Sequence, residues 1–203
     1  LTESFGGDTL MKTGMEMEKI GSTGQAIMHV EVNIRDNEGN SLPHGEEGEI
    51  CLRGPKITNG YWREPTKTKA AFYPENWFRS GDIGHLDKDG FLFLTDRKKD
   101  MIISGGENIA SSEIERVVYQ MDEVMEAAII GMPDTQWGER VAAVIVPKPG
   151  EKIDYPMIDT HCRAHLAGFK SPKELHIVDA LPRNPSGKVL KRILRDQLVS
   201  KNN

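Results

Sequence analysis

Only two cysteines occur in 203 residues, Cys51 and Cys162, and they stand far apart with no CxxC pair. That spacing excludes a disulfide framework and fits free, buried thiols in a reducing compartment. Positive charge is not in excess either. The formal net charge is −5 with 28% of residues charged, which argues against general affinity for nucleic acid or another polyanion. Apolar runs are short and broken by charges, so no segment reaches the length of a membrane span, and no basic-then-apolar leader opens the chain. The expected location is cytoplasmic, or peripheral to a membrane at most. Internal repeats and low-complexity tracts are also missing. The opening Leu1-Thr2-Glu3-Ser4-Phe5-Gly6-Gly7 lacks an initiator methionine and reads as the interior of something longer, so a fragment is expected.

Several familiar site patterns are missing as well. No G-x-G-x-x-G dinucleotide fingerprint occurs. Ser186-Gly187-Lys188-Val189 superficially resembles a P-loop, but Pro182 stands where the first glycine belongs and Val189 replaces the hydroxyl residue that would hold magnesium. Asp87-Lys88-Asp89-Gly90 lacks the remaining ligands of a calcium loop and reads as a hairpin turn. His161 and His165 lie four apart, yet no glutamate follows His161 as in H-E-x-x-H, so a solvated helix face is the simpler reading.

What is present divides into two textures. From Gly24 to about Thr95 the chain is β-rich. Ile27, Val30, Val32 and Ile34 roughly alternate before the turn Asp36-Asn37-Glu38-Gly39, with Gly48 to Gly54 as the expected hairpin partner. A second hairpin is expected from Ile83–Leu86 and Phe91–Leu94, and Thr66 is expected to cap a short helix through Phe72. After Asp96-Arg97-Lys98-Lys99-Asp100 strands and helices alternate. Met101 to Ile103 reads as a strand, and a helix carries Ile114, Val117, Val118 and Met121, capped by Ser111 or by a Ser112–Glu115 box. Strands 126–131 and 141–146, a helix 155–166, a strand 175–178 and a last helix from near Lys188 follow. The expected fold is a β-rich, distorted barrel-like subdomain, residues 1–97, followed by a small α+β domain, residues 98–203.

Three short motifs carry possible chemistry. In Pro182-Arg183-Asn184-Pro185-Ser186-Gly187-Lys188 two prolines restrict φ and Gly187 permits a tight turn, so Lys188 is aimed more narrowly than an ordinary surface lysine. Its charge suits an oxygen-rich anion, and the plainer alternative is a lysine in water at a helix start. Asp82 in Phe78-Arg79-Ser80-Gly81-Asp82 could accept hydrogen bonds from a vicinal diol, or simply cap a turn. Ser104-Gly105-Gly106-Glu107-Asn108 could admit a ligand close to the backbone, or be a plain strand-to-helix turn. The basic set Lys188, Lys191, Arg192 and Arg195 is either phosphate-facing or a solvated helix surface.

The order and spacing of these motifs resemble the adenylate-forming superfamily of acyl-CoA synthetases, luciferases and peptide-synthetase adenylation domains. Thr2-Glu3 looks like the tail of its aromatic-Gly-x-Thr-Glu motif. Gly48-Glu49-Ile50 with Gly54, Gly60 and Tyr61, then Arg79 to Asp82, Asp96-Arg97, Ser104 to Asn108 and Pro182 to Lys188 follow in the family's order. Lys99 to Ile109 and Trp137-Gly138-Glu139 look closest to fatty acyl-CoA synthetases. The resemblance implies that a carboxylic acid, expected to be fatty, reacts with ATP to acyl-adenylate and then with CoA. It implies Lys188 as the catalytic cation bridging carboxylate and phosphate, Asp82 and Arg97 on the ribose, Thr2 on the α-phosphate and Glu3 on Mg2+. Lys99 would be the hinge, Ser104, Gly105 and Gly106 would meet the pantetheine channel, and Lys170 and Lys173 would meet CoA phosphates. A domain that loads a carrier protein, and a non-catalytic interaction or regulatory module, are the rival readings. The family's phosphate loop, adenine-binding segment and acyl pocket have no counterpart here, so the missing amino-terminal portion of the same enzyme is the expected partner. These 203 residues are expected to make no acyl-adenylate alone, and pyrophosphate release by them with ATP and a fatty acid would contradict that.

Overall fold

The computed structural model describes Leu1–Lys201 and divides into two compact units, Leu1–Lys99 and Asp100 onward. The first unit contains β1 (Thr9–Leu10), β2 (Ser22–Ala26), β3 (Glu31–Arg35), β4 (Gly48–Arg53), α1 (Pro65–Ala70), β5 (Phe72–Tyr73), β6 (Trp77–Leu86) and β7 (Phe91–Arg97). These strands form one curled antiparallel sheet in the order β1-β2-β7-β6-β4-β3, with β5 on β6. The β6–β7 hairpin closes through Asp87, whose carboxylate accepts the amide protons of Asp89 and Phe91 at 2.9 Å. Of the stretch from Ile27 to Ile34 only the part from Glu31 is strand, and residues 27–30 form a turn after β2. His29 takes a positive φ of 66° and breaks the alternation between β2 and β3. Thr66 is not a cap: Pro65 occupies the first helical position after Glu64, where its missing amide proton costs nothing.

Strand β4 sits inside the sheet and is buried from Glu49 through Leu52. Alternation sends Ile50 and Leu52 into an apolar cluster with Ile34, Phe78 and Leu92, and turns Glu49 and Cys51 the other way. Glu49 is only 3% exposed. Its Oε2 accepts from Lys98 Nζ at 2.9 Å and Arg79 Nη2 at 3.0 Å, while the Tyr73 hydroxyl donates at 3.3 Å. Burial works toward the neutral acid, but the Lys98 and Arg79 hydrogen bonds prevail and hold the carboxyl below its ordinary value. The same burial pushes the Cys51 thiol up to about 12, and both cysteines are free and buried.

The second unit contains β8 (Ile102–Ser104), β9 (Glu107–Ile109), α2 (Ser111–Val118), β10 (Val124–Asp134), β11 (Gly138–Pro147), α3 (Tyr155–His165), β12 (Glu174–Ile177) and α4 (Lys191–Lys201). Its sheet is mixed: β10, β11, β8 and β9 are antiparallel neighbours, and β12 runs parallel to β11. Both faces are covered. Ala127, Ile129, Val141, Ala143 and Ile145 pack with residues of α2 and α3, whereas Ala128, Ile130, Ala142, Val144 and Val146 pack with Leu194 and Leu198 of α4. That is why the β10 and β11 sequences read as unbroken apolar runs. The edge of β10 is capped by side chains. Ile129 N–H donates to Glu115 Oε1 at 2.9 Å, Ala127 N–H to the Tyr119 hydroxyl at 3.1 Å, and Arg195 Nε donates to Gly131 O at 2.8 Å.

Three local expectations change in this unit. Helix α2 begins at Ser111 behind Ala110, so Ser111 is its first helical residue rather than its cap, and Glu115 reaches the β10 edge. Ser104 to Asn108 is not a strand-to-helix turn but the reversal of the β8–β9 hairpin. The last helix starts at Lys191 rather than Lys188, because Lys188 is held within a hydrogen-bonded turn.

Because the folded Glu49 carboxyl titrates below its ordinary value of 4.5, its stabilisation is fully present above that value and is lost as pH falls through the folded one. Glu49→Gln should therefore cost about 1–3 kcal/mol at neutral pH and weaken the acid dependence of urea unfolding below about pH 5. Unfolding midpoints that match the parent at both pH 7 and pH 4 would refute the role given to this carboxylate.

Candidate functional site

In the first unit, two distant motifs meet across the β6–β7 ladder. Asp82 and Arg97 are register partners, and Arg97 Nε lies 3.0 Å from Asp82 Oδ1. Asp82 N–H donates to Ser80 Oγ at 3.0 Å, and Lys98 N–H donates to Gly81 O at 2.9 Å. The Ser80–Asp82 stretch of β6 and the end of β7 are thus fixed beside the ion pair. The result is a carboxylate acceptor next to a guanidinium donor, with Asp82 mostly buried at 17% exposure and Arg97 more open at 44%. Such a pair suits adjacent hydroxyls, which both donate and accept.

Thr2 and Glu3 lie in a short 3-10 turn, Thr2–Ser4. The turn is tied to the Gly60-Tyr61 segment: Thr58 N–H donates to Glu3 O at 2.7 Å, and the Tyr61 hydroxyl donates to Glu3 Oε1 at 3.2 Å. Burial, and then the Glu3 carboxylate, push the Tyr61 hydroxyl upward, so it remains a donor at neutral pH. Ser4 is fully buried and donates to Asp8 Oδ2 at 2.7 Å. Thr2 itself is exposed. A cavity of about 740 Å³ in this unit, lined by Ile57, Thr58, Phe72 and Tyr73 among others, includes none of Thr2, Glu3, Asp82 or Arg97.

In the second unit the Ser104-Gly105-Gly106-Glu107 reversal has φ of 62° and 88° at its two glycines, the conformation of a two-residue hairpin turn. Gly105 N–H donates to Trp137 O at 2.9 Å, Ile103 N–H to Glu139 Oε2 at 2.9 Å, and Ser104 pairs with Gly138. A Cβ on Gly105 would stand 2.8 Å from the Trp137 ring. Asp134 shapes the facing turn by accepting the amide protons of Gln136 and Trp137, both at 2.9 Å. Those bonds, Trp137 first, hold its carboxyl below the usual range.

Beside these two turns lies a cavity of about 400 Å³ lined by Ser104, Gly105, Trp137, Arg140, Phe169 and Lys173 among others. Gly106 and Lys170 are not part of its lining. The Lys170 ammonium pairs with Glu113 at 2.6 Å. Lys173 Nζ donates to Gly168 O at 3.1 Å. Phe169, Arg140 and Asp134 went unnoticed in the sequence because only folding brings them to the Gly105 turn. Trp137 was visible only as part of a motif.

Lys188 is exposed, in a turn closed by Asn184. Asn184 Oδ1 accepts Lys188 N–H and Ser186 Oγ–H, each at 2.8 Å, and Asn184 N–H donates to Lys188 O at 3.0 Å. Arg183 and Val189 form an isolated antiparallel bridge at its base. Lys99 is exposed at the end of the first unit. Among the described residues, no cluster of three or more His, Cys, Asp or Glu could hold a metal, and His161 instead shares a hydrogen bond with Val117 O at 3.0 Å.

Two family models match the chain: AMP-binding enzyme over residues 1–62 and AMP-binding enzyme C-terminal domain over residues 113–188. The long-chain-fatty-acid–CoA ligase FadD13 of Mycobacterium tuberculosis is 44% identical over 197 residues, 97% of this chain and 39% of the relative. A feruloyl-CoA synthase of Amycolatopsis is 42% identical, over 96% of this chain and 40% of the relative. The o-succinylbenzoate CoA synthetase MenE of Bacillus subtilis, solved with its acyl-adenylate intermediate OSB-AMP, superposes with a TM-score of 0.90 at 34% identity, over 97% of this chain and 40% of that one. The same enzyme has been solved with ATP and a magnesium ion. The chain thus spans about 40% of the length of these relatives.

Gly105→Ala should cost about 1–2 kcal/mol through its left-handed backbone alone, and it should displace the indole N–H resonance of Trp137. An unchanged unfolding midpoint and an unchanged indole resonance would together contradict the close turn-to-turn packing.

Proposed function

This chain belongs to the AMP-binding enzyme family, and we propose that it is the carboxyl-terminal part of an acyl-CoA synthetase. In the whole enzyme a carboxylic acid would react with ATP to acyl-adenylate and pyrophosphate, and CoA thiol would then take the acyl group. A fatty acid is the first candidate, supported by 44% identity to a long-chain ligase. The observation that carries the reading is the Asp82–Arg97 pair at 3.0 Å, which offers a ribose diol a fixed acceptor and donor on adjacent strands.

The residues divide the work by chemistry. Attack of a carboxylate on the α-phosphorus gathers negative oxygens, so positioned cations are the main protein contribution. Lys188 would supply that cation, aimed by the Asn184 turn, and Thr2 would meet the α-phosphate. Glu3 presents the hard carboxylate oxygen that magnesium prefers, steadied by the Tyr61 hydroxyl. Magnesium bound there would neutralise phosphate charge. For the second half-reaction, a rotation about Lys99 would withdraw Lys188 and bring Ser104, Gly105 and Gly106 to the pantetheine. Lys173, on the cavity beside that turn, is better placed for CoA phosphates than Lys170, whose ammonium already faces Glu113.

In the full-length enzyme, Lys188→Ala should abolish acyl-adenylate formation but largely spare thioester formation from supplied acyl-adenylate. Asp82→Ala should raise KM for ATP about tenfold or more, the loss expected for hydrogen bonds to a charged group. Equal loss of both half-reactions in the Lys188 variant would refute the division of labour, and an unchanged KM for ATP in the Asp82 variant would remove the ribose assignment.

A further inference from the structure

We propose that Arg183 is a positioning residue for Lys188, and that Glu126 on β10 is its anchor. The inference rests on the reading of Lys188 as the cation of adenylate formation. Arg183 directs its guanidinium two ways. Nη1 donates to the carbonyl of Gly187, the residue just before the lysine, at 2.6 Å, and Nη2 donates to Glu126 Oε1 at 2.9 Å. Glu126 lies 57 positions away in sequence, on the longest strand of the second unit's sheet.

The geometry suits this role. Asn184 closes the turn upon itself: its side chain takes the Lys188 and Ser186 protons, and its backbone brackets Gly187 and Lys188, with Gly187 N–H donating to Asn184 O at 2.9 Å. Those bonds set the internal shape of the turn, but nothing in them sets its direction relative to the sheet. Arg183 supplies that link, because a planar guanidinium can hold a carbonyl and a carboxylate at once in fixed relative orientation, which an ammonium cannot do. The turn is also pinned at its exit. Leu190 N–H donates to Pro182 O at 2.8 Å, and Lys191 pairs with Glu115 at 2.7 Å. Arg183 therefore governs the exposed tip that carries Lys188.

The exposure of this pair separates aiming from stability. Arg183 is 40% exposed and Glu126 29%, so solvent screens the attraction and its loss has little effect on folding. Orientation matters far more for catalysis, because a displacement of about 1 Å at a reacting group can cost about a hundredfold in rate.

The test uses the full-length enzyme with Arg183→Gln, Arg183→Lys, Glu126→Gln and, as reference, Lys188→Ala. Arg183→Gln should lower kcat for ATP- and acid-dependent pyrophosphate exchange about tenfold or more, with thioester formation from supplied acyl-adenylate unchanged. Glu126→Gln should fall in the same direction by less, and Arg183→Lys should restore little, since it keeps the charge but loses the fork. Melting temperature should move by no more than about 2 °C. Amide exchange at Gly187 and Lys188 should quicken in Arg183→Gln, a readout independent of the reaction. Unchanged exchange at those amides, or wild-type pyrophosphate exchange in Arg183→Gln while Lys188→Ala is inactive, would overturn the positioning role. Wild-type activity in Lys188→Ala would instead overturn the functional reading, and the amide exchange would then report the tether alone.

Discussion

A single buried carboxylate organises the first unit. Glu49 is taken out of water on the interior strand β4, and its charge is retained because Arg79 reaches it from β6 and Lys98 from just beyond β7. Removing one partner of such a group leaves a buried charge poorly matched, a larger effect than the net worth of the pair itself. The arrangement also has a direction. Arg79 begins the Arg79-Ser80-Gly81-Asp82 segment and Lys98 follows Arg97, so the ions on the buried side hold the two segments whose Asp82 and Arg97 pair beside them.

The second unit relies on a different constraint. Its β10–β11 core is covered on both faces, so helices must lie on both sides, and the exposed edge of β10 would leave peptide groups without partners. Glu115, Tyr119 and Arg195 supply those partners from α2, its following turn and α4. Edge capping thereby fixes where α4 lies, and with it the exit of the Lys188 turn. The Gly105 and Trp137 turns are fixed by another contact, the short backbone bond between them.

Regular elements with strong local signals were readable from sequence. The Asp87-Lys88-Asp89-Gly90 reversal, the strands around 126–131 and 141–146, and the helix from Tyr155 all follow from turn chemistry, apolar runs and periodicity. The glycine-rich Ser104 to Glu107 stretch was not readable in the same way. Two glycines permit a hairpin reversal and a strand-to-helix turn alike, and only the pairing of Ile103 with Asn108 distinguishes them. Ser111 and Ser112 look like caps in one dimension. In the fold both lie inside α2, behind Ala110 at the cap position. The final helix start was misplaced by three residues because the Asn184 side chain competes for the Lys188 amide, a local bond that periodicity does not register.

Sequence by itself determined the residue types available for chemistry: a lysine after a restricted turn, an aspartate after Ser-Gly, an arginine before the basic run, and a glutamate within a β segment. It also determined the two textures, because alternation and helical periodicity are properties of near neighbours. Tertiary structure alone decided which of these groups meet. Asp82 faces Arg97 through strand register, Glu49 gathers Arg79 and Lys98 through burial, and Arg183 finds Glu126 through the placement of β10. Such meetings depend on contacts between residues far apart in the chain, and hydrogen-bond and ion-pair geometry exists only once the backbone has closed around them.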